Sequence, residues 1–337
     1  MATEVSSSTS SSKLRNGASI GGHALTTSSG SEEAHWSAQY LPVLSSLLEN
    51  AGRYSPEERA SHLRFIEDHV IPNVGPRPAS LDVVYVVSHF GSSTFEARIN
   101  LNDKGKPCVR FTFEPHCPLA NSAAATVPPT QGYPYKQVLG IAGAVRADPR
   151  QFSELAAEFF LSSEQEYYIA LDLNGGQRQM KVYFYPLLKQ MTTGMNSDEA
   201  TFSVLNRFDP GFAAPLKAMC DFRATCPEPL AIQMIGIDCV APEAGAGVKL
   251  YTRAESNAWD NIRHHVTLGG RRSDETTLRG LEILAGIWNL LLDEPGVTVD
   301  SSASKPVNDP TNVWHTSIIY SWGGAARQGP AQCQSSG

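Results

Sequence analysis

Three short segments of this sequence resemble one another: Val109–Pro115 (VRFTFEP), Met180–Pro186 (MKVYFYP) and Val248–Arg253 (VKLYTR). Each segment places a cation between apolar or β-branched neighbours and a hydroxyl side chain two positions later. The cations Arg110, Lys181 and Lys249 are separated by 71 and then 68 residues. Self-similarity at a nearly fixed period indicates a repeated supersecondary unit.

The chain between these segments predicts the rest of the unit. Apolar residues at helical spacing predict helices at 36–48, 56–70, 135–147, 149–161, 211–220, 254–266 and 276–292. Short β-rich runs predict strands at 81–90, 96–101, 108–113, 166–173, 179–185, 231–240, 247–252 and 313–320. Helices followed by an antiparallel hairpin therefore recur. The predicted fold is α/β, an antiparallel β-barrel surrounded by helices in repeated ααββ units, because closure removes exposed sheet edges.

Side chains alternate along a strand, so each repeated segment has a polar and an apolar face. The polar face carries Arg110/Thr112/Glu114, Lys181/Tyr183/Tyr185 and Lys249/Tyr251/Arg253. The opposite face carries Phe111, Phe113, Val182, Phe184, Val248 and Leu250, which suit packing against helices. A single Lys-x-Tyr pair on a strand is usually a solvated sheet face. Three copies in a repeated unit instead favour a polar barrel lumen with a binding site.

Several cations converging in a lumen favour a polyanion such as a diphosphate, which charge-assisted hydrogen bonds would hold. The sequence contains no phosphate-binding P-loop, no dinucleotide fingerprint and no Asp-Asp-x-x-Asp cluster. We therefore expect charge neutralisation by Lys and Arg, with no cofactor and no metal. Tyrosine rings beside those cations would attract a carbocation by roughly 0.5–2 kcal/mol each and would exclude water.

Composition excludes other classes of function. The formal charge of −7 and the pI of about 5.7 argue against a nucleic-acid partner. No apolar run is long enough to span a membrane, and no signal peptide opens the chain, so we expect a cytoplasmic protein. Residues 1–31 are rich in Ser, Thr and Gly and are expected to form a disordered tail.

The residues resemble the fungal aromatic prenyltransferases of the dimethylallyltryptophan synthase type. The resemblance covers about residues 33–322, and its motifs are specific through their order and spacing. They are Trp36, Ile71–Pro78 (IPNVGPRP), Phe95–Asn100 (FEARIN), Val109–Pro115, and the Lys-x-Tyr pairs at 181 and 249.

The resemblance implies a prenyltransferase barrel that transfers a dimethylallyl group from dimethylallyl diphosphate to an aromatic acceptor in alkaloid biosynthesis. It implies that Glu96 accepts the N–H of an indole-type acceptor, and that Tyr183 and Tyr251 shield the allylic cation. Arg110, Lys181 and Lys249 match the family's diphosphate-binding cations. Gly247 stands where the family usually has an arginine, and we expect Arg253 on the same face to compensate in part.

The C-terminal part of the sequence differs from the family pattern. The family continues with further strands and tyrosines after the one that begins near His315, whereas here a low-complexity run follows. We therefore expect a tail at 1–31, an incomplete barrel domain at 32–322 and a second tail at 323–337, as in a truncated product. A homodimer is compatible with the sequence, which does not fix the oligomeric state.

Two alternatives come from other classes of function. One is a catalytically impaired homologue that only binds a diphosphate or another small molecule, since an open barrel would admit water. The other is a metal-dependent isoprenoid or phosphate enzyme, which would need an acidic cluster. The acidic pairs Asp198–Glu199 and Asp293–Glu294 are expected on the solvated surface, and the adjacent His264 and His265 are expected on a helix surface rather than at a metal site. Phenolic acceptors remain open beside indoles.

Overall fold

The computed structural model describes residues 29–74, 95–100, 107–115, 133–159, 167–186, 190, 193–208, 210–227, 230–241, 245–254, 256–292, 299–300, 316–323 and 332–336. The predicted strand at 81–90 and most of the expected tail at 1–31 lie outside these ranges. No helix in the described ranges is long and apolar enough to cross a membrane.

In these ranges eight antiparallel strands form one sheet whose spatial order is the chain order. They are β1 (Phe95–Asn100), β2 (Cys108–Phe113), β3 (Tyr167–Asn174), β4 (Gln177–Phe184), β5 (Ala231–Asp238), β6 (Gly247–Ala254), β7 (Thr316–Gly323) and β8 (Gln332–Ser336). The sequence predicted the first seven within a few residues. The β3–β4 hairpin turns at Gly175, whose φ of 60° lies in the left-handed region that glycine adopts without strain.

Eight α-helices flank the sheet in the described ranges. They are α1 (Ser29–Asn50), α2 (Pro56–Phe65), α3 (Tyr133–Val145), α4 (Arg150–Phe159), α5 (Ser197–Phe208), α6 (Ala213–Arg223), α7 (Trp259–Val266) and α8 (Glu275–Leu292). A π-helical turn over Ile66–Val70 extends α2. Two helices therefore precede each hairpin, which confirms the predicted ααββ repeat.

Helix α5 was missing from the sequence prediction. Its start had a recognisable signal, because the Asn196 side-chain oxygen accepts hydrogen bonds from the backbone N–H groups of Asp198 and Glu199, both at 3.1 Å. Asp198, expected on the solvated surface, is instead ion-paired with Arg223 at the end of α6.

The apolar face of the sheet packs against the helices, as predicted. Phe111, Phe113, Val182, Val248 and Leu250 are fully buried in one cluster. That cluster also contains apolar residues from six of the helices: Trp36, Tyr40, Phe65, Ile141, Phe152, Val204 and Phe222. The polar face of the sheet is consequently the one turned away from the helices.

A buried tyrosine ties the first helices to the strands that carry the candidate site. The Tyr54 hydroxyl donates to the Leu173 carbonyl oxygen at 2.5 Å and accepts from the Val109 N–H at 2.9 Å. In addition, His62 Nε2 lies 2.6 Å from the Gly175 carbonyl oxygen. These contacts fix β2 and β3 beside each other, next to Arg110.

The last strand departs from the expected tail at 323–337. Gln332–Ser336 forms β8 and pairs with Ser317–Ser321 of β7. A free strand edge offers unpaired N–H and C=O groups, so even a segment without apolar periodicity can add to it. Within the described ranges β1 and β8 do not pair with each other, so the curled sheet is an incomplete barrel.

One adjacent histidine pair was also misplaced by the sequence analysis. His264 and His265 were expected on the surface of a helix, but His265 is buried and its Nδ1 lies 2.7 Å from the Tyr320 hydroxyl. Burial and the neighbouring His264 lower the pKa of His265 to about 4. The reason is position, since Trp259, Ile262 and His265 share the inner face of α7.

Candidate active site

Four rows of side chains cross the polar face of the sheet, following the register of its strands. The first row is Arg98, Arg110, Asp172 and Gln179. The second row is Glu96, Thr112, Ala170, Lys181 and Asp238. The third row is Tyr168, Tyr183, Gly236, Lys249 and Ser321. The fourth row is Met234, Tyr251 and Ile319. Charged groups dominate the first two rows, and aromatic groups follow in the next two.

Two of the three predicted cations are held by carboxylates. Arg110 donates from Nε and Nη2 to the two oxygens of Asp172, at 2.5 and 2.8 Å. Lys181 is ion-paired with Asp238 and lies 3.6 Å from Asp172. Gly247, in place of an arginine, donates its N–H to Asp238 at 3.3 Å.

Electrostatics keep the Arg110–Asp172 pair ionised. Burial would raise the pKa of the Asp172 carboxyl, but the hydrogen bond and charge of Arg110 hold that pKa below its usual value. Burial also opposes the charge of Arg110, yet Asp172 holds the guanidinium pKa above its usual range. The carboxylates therefore offset the repulsion between the neighbouring cations.

Lys249 is the cation without a carboxylate. It forms no ion pair with any residue in the part of the chain that the structure describes. Burial, together with Arg110 and Lys181, lowers the pKa of Lys249 to about 8. Four cations and three carboxylates lie on the first three rows, and the uncompensated positive charge is that of Lys249.

An aromatic cluster lies directly beside the cations. The rings of Tyr183 and Tyr251 meet edge to face with centroids 5.9 Å apart, and Tyr168 and Tyr185 meet similarly at 5.4 Å. Burial raises the pKa of both Tyr183 and Tyr251, so the hydroxyls stay protonated. Together with the thioether of Met234 these rings form a separate small cluster on the polar face.

Glu96 lies on β1, which is the first strand of the sheet within the described residues. Its side chain is 40% exposed, and its carboxylate is paired with Arg98 at 3.1 Å. Glu96 and Lys181 stand in the same row, separated by β2 and β3. Glu96 therefore lies on the same polar face as the cations, with two strands between it and Lys181, and its side chain is accessible to solvent.

Arg253 shares the polar face but does not join the cations. It stands four residues beyond Lys249 on β6, roughly 13 Å along the strand. Its Nε donates to the Gln233 side-chain oxygen at 2.6 Å. The structure therefore groups Arg110, Lys181 and Lys249 and leaves Arg253 on the far side of Tyr251.

Several residues of the site were absent from the sequence analysis. Asp172 and Asp238 are two of them, although both lie on strands that the sequence predicted. The same alternation that put Lys181 on the polar face places Tyr168 and Asp172 there, once β3 is paired with β4. Arg98 follows Glu96 by two residues and could have been found in the same way.

Comparisons with known proteins identify related chains and the fold that they share. An indole diterpene prenyltransferase, terF of Tolypocladium album, is 34% identical over 307 residues, which cover 82% of this chain and 70% of that protein. The crystal structure of AnaPT from Neosartorya fischeri superposes with a TM-score of 0.72 at 21% identity and covers 90% of this chain and 75% of that one. NotF, in complex with brevianamide F and DMSPP, superposes with a TM-score of 0.62 at 20% identity, over 89% and 74% of the two chains.

A family model described as tryptophan dimethylallyltransferase matches residues 32–323. That match includes all four rows of the polar face and both Lys-x-Tyr pairs. Because it spans most of the 337 residues, the chain belongs to the tryptophan dimethylallyltransferase family.

Proposed function

We propose that this aromatic prenyltransferase transfers a dimethylallyl group from dimethylallyl diphosphate to an indole-type acceptor by electrophilic aromatic substitution. The observation that carries the proposal is the joint arrangement of Arg110, Lys181 and Lys249 beside the rings of Tyr183 and Tyr251 on one face of the sheet. Cationic side chains bind the diphosphate leaving group, and aromatic faces stabilise the allylic cation that forms when it departs.

The reaction begins at the allylic C–O bond. Arg110, Lys181 and Lys249 would hold the diphosphate, which departs with the electron pair of that bond and leaves an allylic cation. The adjacent tyrosine rings attract the cation and keep water from it. Electrons of the acceptor ring then form the new C–C bond, and the ring loses a proton. Neutralisation of the leaving group by side chains makes an essential metal unnecessary in this mechanism.

Glu96 would act on the acceptor. A carboxylate that accepts the indole N–H increases the electron density of the ring and counteracts the positive charge that develops during alkylation. Its partly exposed side chain lies on the same polar face as the tyrosines, where an acceptor would meet both. The names of terF, an indole diterpene prenyltransferase, and of NotF with brevianamide F support an indole-type acceptor here.

The low pKa of Lys249 gives the donor site an expected pH dependence. Below a pKa of about 8 the ammonium is charged and attracts the diphosphate, and this attraction is lost as pH rises through that value. We expect the Kd of dimethylallyl thiolodiphosphate to rise about tenfold between pH 7 and pH 9. Lys249→Arg, which stays charged, should bind with a nearly constant Kd over this range. A parent Kd that does not change with pH would contradict the assignment.

A second candidate function is diphosphate binding without transfer. It is favoured by the incomplete barrel, because β1 and β8 are not joined within the described ranges and the polar face is more open to water on that side.

A product assay separates the two functions. Purified protein is incubated with dimethylallyl diphosphate, indole and phenol acceptors and excess chelator, and products are identified by mass spectrometry. Transfer predicts an indole product heavier by one dimethylallyl group, formed in the presence of chelator. A cooperatively folded protein that yields no such product would refute transfer and favour the binding function. A product that forms only with added divalent metal would instead favour the metal-dependent class.

A further inference from the structure

Gly236 lies in the middle of β5, next to the rings of Tyr183 and Tyr251. It is buried, and its strand neighbours in the third row are Tyr183 and Lys249. Glycine inside a strand weakens that strand and often marks a close approach by another group. Its φ is not positive, so any residue could adopt this backbone. The glycine is therefore explained by a lack of room for a side chain at this position.

The Tyr183 ring occupies that space. A Cβ atom at position 236 would lie 2.6 Å from Cε1 and 2.8 Å from Cδ1 of Tyr183, and 3.5 Å from Cε2 of Tyr251. Non-bonded carbon atoms rest at about 3.5–4.0 Å, so the ring would have to move by roughly 1 Å. The ring of Tyr183 now lies directly on the backbone of β5, and the edge-to-face contact with Tyr251 depends on that position.

We propose that Gly236 is a positioning residue for prenyl transfer: it lets the Tyr183 ring lie on β5 and so fixes the aromatic wall that faces the allylic cation. This inference rests on the proposed function. Arg110 and Lys181 lie on β2 and β4, away from Gly236. Lys249 is its cross-strand neighbour, but the three atoms nearest to an added Cβ all belong to Tyr183 and Tyr251, so diphosphate binding should change little. Movement of the Tyr183 ring would instead weaken the stabilisation of the allylic cation and allow water to reach it.

Gly236→Ala tests this through the fate of the donor. Water that reaches the allylic cation adds to it and loses a proton, which gives dimethylallyl alcohol in place of the prenylated acceptor. We expect the ratio of alcohol to prenylated acceptor to rise at least about threefold while the KM for the diphosphate stays within about twofold. The matched control is Gly176→Ala, where an added Cβ would meet no atom within 4 Å. An unchanged product ratio in Gly236→Ala would overturn the proposal.

A packing measurement tests the same contact without relying on turnover. Gly236→Ala should lower Tm by about 2–6 °C in the parent, because extra volume in a packed site is strained. In a Tyr183→Ala background the same change should have almost no effect, since the obstructing ring is gone. Tyr183→Val replaces that background if the alanine variant does not fold. Additive shifts in Tm would overturn the inference. A parent that consumes no donor would overturn the proposed function, and the Tm cycle would still decide the Gly236–Tyr183 contact.

Discussion

Glu96→Gln is expected to lower kcat by about 100-fold to 1000-fold, the range seen when a transition-state charge partner is lost. Glutamine can still accept the acceptor N–H, but it lacks the negative charge that counteracts the positive charge developing on the ring. The KM for dimethylallyl diphosphate should change little, because the diphosphate cations lie on β2, β4 and β6 while Glu96 lies on β1. Steady-state kinetics with each substrate varied in turn measure both parameters.

Arg98→Gln is the control for Glu96, because it removes the ion-pair partner at 3.1 Å and leaves the carboxylate in place. We expect this variant to keep kcat within about tenfold, as an exposed ion pair contributes at most about 1 kcal/mol. If Glu96→Gln and Arg98→Gln lose the same activity, the pair acts as structure and Glu96 has no separate part in turnover.

Arg110→Ala should damage both folding and binding. Arg110 is 7% exposed and bonded twice to Asp172. Its removal leaves a buried carboxylate whose remaining ion-pair partner among the described residues is Lys181 at 3.6 Å. Breaking one side of a buried pair costs about 3–5 kcal/mol of unfolding free energy. The variant also loses a diphosphate contact, so the Kd of the donor should rise by at least about tenfold. Chemical denaturation and calorimetric titration measure the two effects.

A double replacement separates the two roles of Arg110. Arg110→Met with Asp172→Leu removes both charges, and apolar replacement of a whole buried pair is often neutral or stabilising. We expect the unfolding free energy to recover while the diphosphate affinity stays low. Recovery of affinity together with stability would show that Arg110 only supports the fold.

The predictable part of the structure follows from strand alternation and from the repeat. The spacing of Arg110, Lys181 and Lys249 placed three cations on one face, because residues two apart on a strand point the same way and each unit contributes one hairpin. The apolar residues between them, such as Phe111 and Val182, predicted which face packs against helices. These predictions do not depend on how the repeated ααββ units pack against one another.

The parts that the sequence did not predict depend on contacts between units. Asp238 contacts Lys181 because β4 pairs with β5, and no local sequence pattern predicts that strand pairing. His265 was predicted on a helix surface, but α7 packs against Tyr320 and buries it. Arg253 illustrates the opposite error: sharing a face with Lys249 did not bring it near the other cations, because position along the strand matters as much as the face.

The most direct test of the central claim is a calorimetric titration of dimethylallyl thiolodiphosphate into the chain and into Lys249→Met, at pH 7 with chelator present. Lys249 carries the one uncompensated charge in the first three rows of described residues, and methionine keeps much of its volume. We expect one diphosphate to bind per chain without metal, with a Kd at least about tenfold higher in the variant. Absence of binding by the folded parent, or equal affinity of the two proteins, would contradict the placement of the diphosphate on this face.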